Sequence, residues 1–428
     1  MTNFSSKERF LASLLSSTPR LKLLVKRVYV VANALLYHKS YKYKILSEWI
    51  SDIHIPFIKE QSESFGGYYD KFTLNRNGMI LSYLTPNITR NSPKSNEYIK
   101  LVVRCLETKG LKTIATISSY NWQQGARAQW LSDDLIIYNS CENNKYQAIV
   151  YSISQEKNIK IFNYPVQEAF HTDFFLSINY RRVMKLRPDY GYSNLGLPSE
   201  IEMKDLKSDG IWFVDYHSQK GKLLHSLQDI VDCESKPIFD LCQHKVNHLM
   251  LNKKGDKFIF IHRYYSGKRR LDRLMCSDFN EICVLIDDMM VSHCCWIDED
   301  TILGYWRYNG VNGYYYCNVN TGKVSKCTAM TDLNFGDGHP SCYRDWIVFD
   351  TYPDKARMQH LFIYNRRTNA IIPLLELYHG TGYMGECRCD LHPRFAENGK
   401  YISFDSVFLG KREQCYINVS KLLCQYQS

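Results

Sequence analysis

His248–Arg263 reads HLMLNKKGDKFIFIHR. A histidine opens the stretch and apolar residues follow it. Lys253-Lys254-Gly255-Asp256 then supplies a turn, and Phe258-Ile259-Phe260-Ile261 supplies a strand of aromatic and β-branched residues. The same order of features recurs three times: HCCWIDEDTILGYWR from His293, HPSCYRDWIVFDTYP from His339 and HPRFAENGKYISFDS from His392. Their turns are Asp298-Glu299-Asp300, Arg344-Asp345 and Glu397-Asn398-Gly399, and the heads lie 45, 46 and 53 residues apart. A period of roughly 40–50 residues, with several short strands per unit, marks propeller blades.

Weaker copies precede these four. KFTLNRNGMILSY at Lys71–Tyr83 keeps the Asn-Gly turn and the strand. RAQWLSDDLIIYN at Arg127–Asn139 aligns Trp130 with Trp296 and Arg127 with His293. A further unit over about 163–222 contains FFLSINY and GIWFVDYHS. Residues 55–428 divided among seven units give about 53 per blade, enough for four strands and their loops. The expectation is an all-β, seven-bladed propeller over 55–428, preceded by a basic helical extension over 1–54.

Of the net charge of +10, +7 lies in residues 1–50, where nine Lys/Arg face Glu8 and Glu48. The remaining chain has no basic face of the kind nucleic-acid binding requires. The run LKLLVKRVYVVANALLY at Leu21–Tyr37 is too short and too charged to span a membrane. It can lie on an anionic membrane surface or pack on a partner. No signal-peptide pattern follows Lys7-Glu8-Arg9. The 15 Cys have neither zinc-finger nor disulfide-framework spacing, which points to reduced thiols and a cytoplasmic protein, with peripheral contact at the inner membrane face through residues 1–50.

In a propeller, residues at one blade position ring the central axis. The four head histidines therefore converge. His293, His339 and His392 offer imidazole ligands, and Asp390, two residues before His392 on extended chain, shares its side. Mixed His/carboxylate ligation suits Mn2+, Zn2+ or Fe2+. The competing reading is a metal-free Asp390–His392–arginine ion-pair cluster. Guanidinium forks suit carboxylates, and Arg182, Arg187, Arg263, Arg270, Arg388 and Arg394 are candidates for binding or polarising an acidic ligand. Tyr190, Tyr192 and Tyr352 are candidates for stacking on sugar rings. No nucleophile elbow, P-loop or dinucleotide fingerprint occurs in the required context.

The blades carrying NHLMLNKKGDKFIFIHR, VSHCCWIDED, GDGHPS, DTYPD and RCDLHPRF resemble bacterial propeller proteins related to oligogalacturonate lyases, relatives of which are found with polysaccharide biosynthesis genes. The resemblance covers roughly 60–425 and is strongest from His244 onward. It implies a seven-bladed propeller that binds a divalent metal, typically Mn2+, with Zn2+ or Ca2+ as alternatives, and that cleaves uronate-containing oligosaccharides by β-elimination. His293 matches a ligand that heads a Trp-containing blade, and His248 matches an active-site histidine. The family's Gln-x-x-His-x-His-Pro motif corresponds to Cys387–Pro393: His392 matches the last ligand, Asp390 replaces a histidine and Cys387 replaces the glutamine. His339 is then a candidate replacement ligand. His248 is the expected base, with Arg263 or Arg270 as rival.

Two functions follow. One is a polysaccharide-lyase-like enzyme acting on an acidic glycan. The other is a non-catalytic glycan-binding or scaffold propeller in a capsule or exopolysaccharide pathway.

Overall fold

The computed structural model describes residues 19–60, 62–267 and 269–425. Seven antiparallel sheets follow one another along the chain. Blade 1 holds β2–β5 (Glu63–Phe65, Met79–Thr85, Ile99–Cys105, Leu111–Ile117) and blade 2 holds β6–β9, from Gln129 to Phe162. Blade 3 runs from Glu168 to Ser226 (β10–β13), blade 4 holds β14–β17 (Gln243–Leu251, Phe258–Ser266, Arg269–Ser277, Ile282–Ile286) and blade 5 holds β18–β21 (Val291–Trp296, Thr301–Tyr308, Val311–Asn318, Val324–Lys326). Blade 6 spans Ser341–Tyr378 (β22–β25) and blade 7 spans Arg394–Asn418 (β26–β28). The seven-bladed expectation therefore holds.

The core is a set of wedges between neighbouring blades. Ile137, Val150 and Phe162 of blade 2 meet Phe175 and Val214 of blade 3. Ile259, Ile261 and Leu274 of blade 4 meet Val291, Trp296 and Trp306 of blade 5. Each sheet is covered on both faces, so central strands such as Met358–Asn365 are buried at every position and do not alternate.

The amino-terminal segment closes the ring. Tyr43–Ile45 (β1) adds a fifth strand to blade 6 by pairing with Leu375–Leu377. His54 and Tyr416 exchange backbone hydrogen bonds of 2.9 Å, supplying the outer edge of blade 7. Within the extension expected over 1–54, residues 43–45 and His54 thus pair with sheets of the propeller. Sheet edges attract pairing, which is why this segment is held. Val28, Val31, Leu35 and Leu36 on the helix stay exposed. Among the described residues no helix is long and apolar enough to cross a membrane. Residues 1–18, with Lys7 and Arg9, lie outside the described residues. All fifteen cysteines are free thiols.

Candidate active site at the propeller axis

The four head histidines meet. Ring centroids lie 6.2 Å apart for His248–His293, 4.0 Å for His293–His339 and 4.5 Å for His339–His392. Local backbone irregularity aims them. The β14–β15 register shifts between Asn247 and Met250, and the β18–β19 register shifts between Val291 and Cys294. Such bulges re-aim a side chain. His248 and His392 also sit at φ of 54° and 46°, a left-handed conformation uncommon outside glycine.

Each imidazole is then oriented by a second contact. His339 Nδ1 lies 2.9 and 3.1 Å from the two Asp350 carboxylate oxygens. The Asp350 carboxylate also accepts the backbone N–H groups of His339 (2.7 Å) and His392 (3.2 Å), tying blades 6 and 7 together. His392 Nδ1 lies 3.2 Å from the Gly67 carbonyl and donates to it, because a carbonyl can only accept. With Nδ1 occupied, both Nε2 atoms present lone pairs when the rings are neutral. Both are buried and without a hydrogen-bond partner among the described residues. Asp390 completes the group: the ligand atoms of His339, Asp390 and His392 lie within 4.8 Å of one another. His293 stands beside the trio, its Nδ1 on Asp337 at 3.2 Å.

Burial sets most of the charge states, with His339 the exception. Burial pushes His392 and His248 well below the usual imidazole range, and neighbouring cations and imidazoles push the same way. Burial also lowers His293. For His339 burial acts downward, but Asp350 and further carboxylates outweigh it and its pKa is raised. Burial would raise Asp390, yet Arg388 holds it low and ionised. An ionised carboxylate, the His392 lone pair and, once its proton is displaced, that of His339 form a donor set that fits a borderline divalent cation.

Sequence reasoning missed Tyr68 and Tyr69. Gly66 and Gly67 leave the inner strand of blade 1 and carry both rings into the channel. A Cβ on Gly66 would fall 1.9 Å from Arg394 Nη2, so a side chain there would displace the buried Arg394 fork. Tyr68 stacks on His248 with centroids 5.2 Å apart, and its hydroxyl lies 3.5 Å from His248 Nε2. Tyr69 is pinned to Cys294, accepting its N–H at 3.1 Å and donating to its carbonyl at 2.9 Å. Beyond Tyr69 a cavity of about 580 Å³ opens among Met250, Trp296, Tyr343 and Phe395. The double glycine ahead of two aromatics was the available signal.

An excursion of blade 3 over residues 179–209 carries further groups. Arg388 donates to Asp390 (2.6 Å), Asp189 (2.9 Å) and the Tyr190 hydroxyl (3.1 Å). Tyr190 meets His248 edge-on at 5.2 Å, and Arg187 pairs with Asp189 at 2.8 Å and lies over Tyr190. Tyr352 lies 5.8 Å from His339. Arg263, on β15, is held by Asp272 at 2.6 Å, with Arg270 3.5 Å from the same carboxylate.

Three expected ligand contacts serve the fold. Arg182 spends its N–H groups on Asp209 and on the carbonyls of Glu202, Met203, Asp205 and His244. Tyr192 is fully buried and stacks on Tyr180 at 4.4 Å. Arg394, 1% exposed, braces the site by donating to the carbonyls of Gly67 and His392 and to Asp405.

No family model matches this sequence and no curated protein matches it. In structure the chain is similar to an oligogalacturonate lyase in complex with manganese, at a TM-score of 0.57 and 13% identity, covering 90% of this chain and 99% of that one. It is similar also to oligogalacturonate lyase from Vibrio parahaemolyticus, at a TM-score of 0.57 and 12% identity, covering 89% and 97%. At such identities the likeness shows the fold alone.

Proposed function

We propose that this propeller cleaves a uronate-containing, acidic glycan by metal-assisted β-elimination. The observation that carries the reading is the convergence of two orphaned imidazole Nε2 atoms and the Asp390 carboxylate at the axis. His339, Asp390 and His392 would hold the divalent cation, Mn2+ first among the candidates. The chemistry it supplies when bound is neutralisation of the uronate carboxylate, which acidifies the C5 proton. His248 is the base: burial holds its imidazole neutral, and its Nδ1 has no partner among the described residues. Tyr68 and Tyr190 pack against its ring and fix its plane. Arg187 and Arg388, at the mouth, orient further acidic or hydroxyl groups. A cytoplasmic location, with the basic amino-terminal segment touching an anionic membrane face, completes the proposal.

Two observations favour the second reading, a non-catalytic glycan-binding propeller. Asp390 is already paired with Arg388 at 2.6 Å, and Cys387 stands where the family motif has a glutamine. Incubation of the full-length protein and Mn2+ with uronate oligosaccharides separates the two. New ultraviolet absorbance from an unsaturated product supports the lyase. Glycan binding with no product contradicts it and leaves the binding propeller.

A further inference from the structure

One strip of blade 4 is rich in buried donors that the elimination chemistry above does not use. Lys245 on β14 is the cross-strand partner of Arg263 on β15, which in turn pairs with Asp272 on β16. The next row in register on the same face is Gln243, Tyr265 and Arg270. Lys245 is 0% exposed and Arg263 3% exposed. Lys245 Nζ, Arg263 Nη1 and the Tyr265 hydroxyl have no hydrogen-bond partner among the described residues. Arg270 stands at the exposed end of the strip. Lys245 and Arg263 thus have a single carboxylate in their own row, Asp272, which Arg270 reaches from the next row.

Burying an ammonium with no acceptor is costly, and buried donors in folded proteins are satisfied. The acceptor suited to two cationic forks, an ammonium and a hydroxyl is an oxyanion. We propose that Lys245, Arg263, Tyr265 and Arg270 form an oxyanion receptor that takes a carboxylate or a sulfate ester of the ligand, separate from the His339–Asp390–His392 centre. The receptor adjoins the base: Lys245 and Arg263 are among the charges that hold down the His248 pKa. Joined to the lyase reading, on which this extension rests, it makes the substrate one with a second acidic group on a sugar beside the one that reacts. Burial, reinforced by Arg263 and Arg187, lowers the Lys245 pKa well below the usual amine range, so an arriving anion also favours protonation of that amine.

Binding of inorganic sulfate, and separately of acetate, to full-length protein stripped of metal by a chelator tests the receptor. Calorimetry at constant ionic strength is the readout, so the result is independent of any lyase activity. Saturable binding of sulfate alone identifies a sulfate-ester site, and saturable binding of acetate alone identifies a carboxylate site. Lys245→Met should weaken anion binding about ten-fold or more and, because it removes only an unpartnered buried amine, should leave the protein folded. Arg270→Gln, at the exposed end, should weaken it several-fold. Absence of saturable binding of either anion, or equal affinity in folded Lys245→Met, overturns the receptor. Anion binding without lyase activity overturns only the lyase.

Discussion

Asp350→Asn tests how the site is held together. The carboxylate is 2% exposed and accepts from His339 N–H at 2.7 Å, from His339 Nδ1 at 2.9 Å and from His392 N–H at 3.2 Å. The amide keeps the shape and one acceptor oxygen. Its NH2 then faces the His392 N–H, donor against donor. Hydrogen bonds to a charged group contribute about 1.5–3 kcal/mol, and a buried unsatisfied donor costs about 1–3 kcal/mol. The metal-free variant should therefore lose about 2–4 kcal/mol of stability. Loss of a carboxylate behind a ligating imidazole weakens metal binding about 10–100-fold, or about 1.4–2.8 kcal/mol. The pKa of His339 should fall, since Asp350 is the charge that chiefly raises it. Denaturant melts of chelated protein measure the first effect, and calorimetric titration of folded protein with Mn2+ measures the second. Wild-type Mn2+ affinity in a folded variant would refute the idea that Asp350 positions His339 and His392 as ligands.

Further outcomes follow from the same geometry. His248, His293, His392, His244 and His262 all have lowered pKa values, and His379 is lowered to about 3 by burial and Arg357. Below the ordinary imidazole pKa of about 6.5 the unfolded chain binds more protons at these groups than the folded one, so stability falls with pH by about 1.4 kcal/mol per unit per group. His339, with its raised pKa, acts in the opposite sense but alone. The metal-free protein should therefore melt at progressively lower temperature as pH drops from neutrality toward 5, and a flat profile would contradict the buried neutral imidazoles. His248→Gln should abolish turnover of uronate oligosaccharides while leaving their affinity within a few-fold, and retained turnover removes His248 as the base. Removing residues 1–38, which spares the Lys39–Glu376 ion pair and the Tyr43–Ile45 strand, should leave the propeller folded and release it from anionic vesicles. Undiminished vesicle binding rejects the membrane contact.

The blade repeat was legible because each unit carries its own turn and strand, and equivalence of the head histidines then implied their convergence. Residues whose placement depends on long-range register were not legible. Lys245 reads as an ordinary strand lysine until its pairing with Arg263 and Asp272 puts it in an inner row. Tyr68 and Tyr69 belong to no repeat, since Gly66-Gly67 diverts them from the sheet. Arg182 and Arg187 read alike in NYRRVMKLRPDYGY. The helix Tyr180–Leu186 turns Arg182 into carbonyl-rich interior, and the chain after it sends Arg187 to the site. Which face a short inserted helix buries is decided by packing, which that segment's own pattern does not encode.

The most direct measurement is metal stoichiometry after Mn2+ reconstitution of full-length wild-type protein and His392→Ala. The account predicts one tightly held ion per wild-type chain and none in the folded variant. Equal metal content in the two, or none in the wild type, would contradict a metal centre built from His339, Asp390 and His392.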